Sequence, residues 1–161
     1  MKIRYTYSLW IEEIKPSGES RVSFTGRGRL IGEGTRVELF SYPIDVHYMA
    51  VHGDWVSAVG YLEGEEAKTF YIETSRKKGG DRVNVRLVIK GSVKERISNG
   101  KYMVNLDWSG KHRREIVLVG ASKVSFIQPS RGQILPARAG IRVRWIWRRG
   151  YRGPLVIRYV K

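Results

Sequence analysis

Arg142, Arg144 and Arg148 share one parity of the segment Ile141–Arg148, IRVRWIWR. On an extended strand, residues of equal parity face the same way and recur roughly every 6–7 Å. A guanidinium ladder of that pitch matches neighbouring phosphates on a nucleic-acid strand, and each guanidinium offers forked donors to phosphate oxygens. More cations sit where the chain should turn. They are Arg76-Lys77-Lys78, Lys111 with Arg113 and Arg114, and Arg148-Arg149 with Arg152 in a turn that also holds Gly150, Tyr151 and Gly153. Glycine beside such cations lets backbone amides approach a phosphate closely. Arg131 and Arg158 complete the candidate set. Tyr151 in its turn is an expected stacking platform for unpaired bases, contributing about 1–3 kcal/mol, while Trp10 and Tyr71, among polar neighbours, fit equally such a platform or a strand buried on both faces.

A second constellation is acid–histidine: Asp45 with His47, then His52 with Asp54, each pair two residues apart. Same-face His and carboxylate pairs can bind a metal or exchange a proton. These lie far along the chain from the basic third, and no third histidine is near in sequence. With no cysteine, no phosphate-binding glycine loop, no GxSxG and no carboxylate cluster, the expectation is a non-catalytic protein without metal or cofactor.

The elements that must position these residues are strands. Lys2–Ile11 alternates, and its parity predicts Ile3, Tyr5, Tyr7, Leu9 and Ile11 on one face with Arg4, Thr6, Ser8 and Trp10 on the other. Further strands are expected at 21–24, 35–40, 43–51, 55–62, 67–74 and 82–90, with Gly26–Arg29 as a bulge or loop. Glycine-bearing turns separate them, and no long stretch carries a helical period. In Ile141–Trp147 the odd positions Ile141, Val143, Trp145 and Trp147 form a core face, and the following turn should close a hairpin. The fold expected is all-β, an antiparallel barrel or sandwich of about 11–13 short strands in one domain, 1–161. Segment similarities such as Arg21-Val22, Arg82-Val83 and Arg142-Val143 suggest a repeat of roughly 55–60 residues, with units 1–65, 66–121 and a partial 122–161.

The net charge of +15 is unevenly spread. Residues 1–66 hold seven basic and ten acidic residues; 67–121 hold thirteen and five; 122–161 hold ten and none. Segregation of this kind points to a dedicated polyanion-facing surface. Abundant arginine with little Asn or Gln also fits a heat-adapted protein. No run approaches eighteen apolar residues and no targeting pattern opens the chain, so a cytoplasmic location with no membrane partner is expected. The function expected is phosphate-dominated, weakly sequence-specific binding of RNA or single-stranded DNA. The alternatives are an assembly subunit of a nucleoprotein or viral particle, self-associating or meeting a protein through exposed strand edges, and a metal-dependent nucleic-acid-processing enzyme.

Overall fold

Alternating apolar and polar residues place nearly the whole chain in strands, as a computed structural model describing residues 1–161 shows. There are fourteen: β1 (Lys2–Ile14), β2 (Glu19–Ile31), β3 (Arg36–Tyr42), β4 (Asp45–His52), β5 (Ala58–Leu62), β6 (Lys68–Glu73), β7 (Arg82–Ser92), β8 (Ile97–Ser98), β9 (Lys101–Ser109), β10 (His112–Val119), β11 (Lys123–Gln128), β12 (Gln133–Ala137), β13 (Gly140–Trp147) and β14 (Gly150–Val160). The only helix is a single 3₁₀ turn, Lys94–Arg96. No helix is long and apolar enough to cross a membrane.

β1 organises the fold. One of its edges pairs with β2 over its whole length; the other pairs with β10 from Ser8 to Ile14 and meets β3 at Lys2. The path β4-β7-β2-β1-β3-β6-β5 is a nearly closed barrel, and β10, β13 and β12 extend from β1 as an arm. A second, antiparallel sheet, β11-β14-β9-β8, packs against the inner face. The β1–β10 pairing is parallel, so the large sheet is mixed rather than purely antiparallel. Pro136 lies in β12, an edge strand, where a missing backbone N–H is tolerated.

The parity expected along β1 changes partway. The β1–β2 register shifts between Tyr5 and Tyr7, and the extra residue rotates everything beyond it to the opposite face. Ile3 points inward before the bulge; Ser8, Trp10, Glu12 and Ile14 do so after it. Trp10 is therefore fully buried, against Phe24, Phe40 and Tyr42, and is not a surface platform. Opposite the bulge, Gly26–Arg29 is regular strand within β2, not loop. The glycines there make room: a Cβ at Gly26 would meet the Tyr5 ring, and one at Gly28 would meet the Arg4 carbonyl.

The C-terminal segment also departs from expectation. Only Arg148 and Arg149 form the turn; Tyr151, Arg152 and Gly153 already belong to β14. β13 and β14 are not a hairpin, because β13 pairs with β10 and β12 while β14 pairs with β9 and β11. The chain crosses from one sheet to the other at Arg148-Arg149, as it does at Gly110-Lys111 between β9 and β10. The strands that carry the matching Arg-Val pairs also have different neighbours: β2 lies between β1 and β7, β7 between β2 and β4, and β13 between β10 and β12.

The two crossings are fastened by rings. Tyr151, Trp147, His112, Trp108 and Tyr5 stack in sequence with centroid separations of 5.1, 5.8, 4.2 and 5.5 Å. His112 also joins a buried polar chain. Arg114 Nε donates to His112 Nε2 at 3.2 Å, so the ring proton is on Nδ1, which donates to Ser8 Oγ at 2.7 Å. Trp108 Nε1 donates to the same oxygen at 2.9 Å. Burial, aided by the Arg114 charge, pushes the His112 pKa down to about 2. The unfolded chain takes up a proton near pH 6.5 that the folded chain refuses, so stability is complete above that pH and declines below it. In a Glu12→Gln background, which removes the opposing contribution of a buried carboxyl whose pKa burial raises, urea unfolding at pH 7 and pH 5 should differ by about 2 kcal/mol, with the lower stability at pH 5. Equal midpoints at the two pH values would exclude a neutral, buried His112.

Candidate nucleic-acid interface

Residues paired directly across a sheet project to the same face, so the register of the barrel strands decides which cations stand together. On the outer face, Arg4 is opposite Arg29, and Arg29 is opposite Arg82. Further along the sheet, Arg27 pairs with Asn84, Thr25 with Arg86, and Arg21 with Lys90. All six of these arginines and Lys90 are exposed, and the intervening residues Val22, Phe24, Leu30, Val83, Val85, Leu87 and Ile89 fill the core. The same face continues through β1 onto β10 and β13, where it carries Arg113, Arg142 and Arg144.

The outer surface of β3, β6 and β5 has a different character. There Lys2 pairs with Glu38 at 3.8 Å and Arg36 with Glu73 at 2.9 Å. Beyond it lies a cleft of about 180 Å³ that includes Asp45, Glu63, Glu65, Glu66 and Glu95 in its lining. The charge segregation is thus between groups of strands as much as between thirds of the chain. The acid-rich N-terminal stretch contributes Arg4, Arg21, Arg27 and Arg29 to the basic face, none of which counting along the sequence singled out.

Of the candidate residues, Lys111, Arg148 and Arg149 come together. His112 pairs with Trp147 and Ser109 with Gly150, so the two sheet crossings run side by side and present all three cations, exposed, at one corner. Arg113, Arg142 and Arg144 lie on the adjoining outer face. Arg76 sits elsewhere, its Nη1 donating to the Asp54 carbonyl at 2.8 Å; half-buried Lys77 and exposed Lys78 follow it in the loop leading to the Arg82 end of β7. Arg152 is paired with Asp107 at 3.1 Å. Arg158 lies over the Phe126 ring at 5.8 Å on the second sheet, and Arg131 is exposed between β11 and β12.

Arg114 is not an interface residue. It follows the inward parity of β10, between His112 and Ile116, and is 1% exposed, with its guanidinium 4.1 Å from the centroid of Trp10. Near it is the buried carboxylate of Glu12, which accepts from Ser20 Oγ at 2.7 Å, Tyr42 OH at 2.5 and 2.7 Å, and Trp10 Nε1 at 3.2 Å. Burial pushes the Glu12 carboxyl up, against the pull of these donors and of Arg114.

The expected ring platforms are also spent on structure. Trp10 is core, and Tyr151 is stacked on Trp147 with its hydroxyl donating to the Pro154 carbonyl at 2.8 Å. Tyr71 is half-buried with the Arg36 guanidinium 4.0 Å from its ring centroid. Asp45 and His47 open β4 while His52 closes it, roughly 20 Å apart by strand rise. No group of three or more His, Asp or Glu side chains is gathered as a metal site.

No protein-family model matches the sequence, and no curated protein is significantly similar to it. Solved structures do share its fold. An M1 zinc metallopeptidase of Deinococcus radiodurans in complex with a Tyr-Ser-Ala substrate superposes with a TM-score of 0.62 at 9% identity, over 96% of this chain and 42% of that one. Another structure of the same organism's enzyme gives 0.58 at 9% identity, with the same coverage. A two-domain M1 zinc metallopeptidase bound to L-arginine gives 0.58 at 11% identity. This chain spans about 42% of the length of those chains, and at such low identity the likeness is one of fold alone.

Proposed function

We propose that the protein is a non-catalytic nucleic-acid-binding module whose platform is the outer face of β2, β7, β1, β10 and β13. The observation that carries this reading is the like-charge pairing across strands: Arg4–Arg29–Arg82 in one row, and Arg21–Lys90 in another that Glu13 joins from β1. Like charges directly opposite one another destabilise a sheet, and a surface selected for stability alone alternates their sign. A polyanion removes the repulsion. Cations within a row are about 5 Å apart across strands, outward positions recur roughly every 6–7 Å along them, and Arg27 and Arg86 stand between the two rows, so several phosphates can be met at once.

Binding of this kind is carried by phosphates, with little contribution from ring stacking. Single-stranded and duplex ligands should therefore differ less than the sequence suggested. Fluorescence anisotropy with single-stranded DNA, RNA and duplex DNA at low salt is the test, with submicromolar affinity for at least one of them expected. Failure of all three to bind at low ionic strength would end the reading.

A second reading has its own support. Ile146 is 57% exposed on the same outer face, and half-buried Leu9, Ile11 and Val88 lie among the cations. Apolar side chains ringed by arginine also suit an acidic protein partner, which would make the chain a subunit of a larger assembly. Sedimentation separates the two: a monomer at micromolar concentration that binds nucleic acid favours the first.

A further inference from the structure

Glu115 gathers three arginines around one carboxylate on the outer face of the β10–β13 arm. Arg113 donates to Oε2 through Nε at 3.0 Å and lies 2.9 Å from it through Nη2. Arg142 donates to Oε1 through Nη1 at 3.0 Å, and Arg144 does so through Nε at 3.3 Å and Nη2 at 3.2 Å. The Glu115 side chain is 2% exposed, while those of Arg113, Arg142 and Arg144 remain 36%, 36% and 25% exposed. Burial pushes the Glu115 carboxyl up, but the three cations outweigh it and hold it below the usual carboxylate range.

A single forked arginine would satisfy that carboxylate. The cluster keeps two positive charges in excess. It also keeps donors that no protein acceptor takes: Arg113 Nη1, Arg142 Nε and Nη2, and Arg144 Nη1. Glu115 fixes the guanidiniums from below and leaves these N–H groups for whatever lies above the sheet. From this geometry we infer an oxyanion site on the arm, formed by Arg113, Arg142 and Arg144 and positioned by Glu115, that takes a phosphate group. The phosphate can belong to a nucleic-acid backbone or be free in solution; only the first source rests on the function proposed above.

The test is an NMR titration of the arginine Nε–H signals of the full chain with inorganic phosphate, then with an eight-nucleotide oligothymidylate, against sodium chloride at matched ionic strength. The Nε–H groups of Arg113 and Arg144 are held by Glu115, and their signals should move with phosphate and not with chloride. Arg142→Gln, which leaves Glu115 two arginines, should weaken phosphate binding about tenfold. Glu115→Gln should weaken it at least as much and broaden both signals, with circular dichroism checking the fold. Displacement of phosphate by the oligonucleotide assigns the source to nucleic acid. Phosphate binding without displacement keeps the site and overturns the nucleic-acid reading. Equal responses to phosphate and chloride, or none, overturn the site.

Discussion

Replacing Arg114 with Met should destabilise the protein by about 3–5 kcal/mol, lowering the melting temperature by roughly 10 °C. Arg114 and Glu12 are opposite charges sealed in one core, 1% and 0% exposed. Removing the cation leaves a buried carboxylate facing only neutral donors, and it removes a guanidinium packed on Trp10 and 5.6 Å from the Trp108 ring centroid. Burial lowers the Arg114 pKa, against the opposing pull of Tyr102, Tyr42 and Glu12. Glu12→Gln combined with Arg114→Met should cost less than the two single changes together, because the pair then leaves as a unit. Chemical denaturation of the four proteins completes the cycle. An Arg114→Met cost below about 1 kcal/mol, or strict additivity, contradicts electrostatic coupling between the two residues.

The second large effect concerns binding. Arg21→Glu/Arg86→Glu/Lys90→Glu reverses three charges in the middle of the proposed platform, all exposed and all on outward-facing positions of β2 and β7. Stability should change by no more than about 1 kcal/mol, since none of the three takes part in an ion pair, positions 21 and 90 remain alike in charge, and the one new like-charge pair, with Glu13 opposite position 21, is exposed. Nucleic-acid affinity should fall by at least a hundredfold at low salt, because three phosphate contacts are lost and three repulsions gained. The comparison is Lys101→Glu/Arg158→Glu on the second sheet, where a fall of less than threefold is expected. Equal losses per reversed charge in the two variants would mean that overall charge, not this face, drives association.

How far the sequence announces this arrangement differs from element to element. The inward face of β13 is plain from alternation alone, and Val143 and Trp145 are buried at 0% and 1%. The all-β class follows from the same signal. Alternation puts Trp10 on the wrong face because a single extra residue opposite Gly26–Arg29 inverts parity, and local pattern contains no mark of it. Arg148-Arg149 resembles a hairpin turn because a crossing between sheets has the same length and composition as one. Arg113 stands two residues from Glu115, but the other two arginines of its cluster are 27 and 29 residues away and meet it only through the β10–β13 register, which local pattern does not announce. The basic platform was hidden for a similar reason: its N-terminal arginines lie in the acid-rich part of the chain, and only strand pairing separates them from Glu38 and Glu63–Glu66.

The salt dependence of nucleic-acid affinity tests the central claim most directly. If the outer face neutralises six to eight phosphates, the logarithm of the binding constant should fall against the logarithm of salt with a slope of about −4 to −7. The slope should become shallower by about two to three in Arg21→Glu/Arg86→Glu/Lys90→Glu. A wild-type slope near zero, or binding too weak to measure at low salt, would contradict a phosphate-binding face and leave the cations to a protein partner.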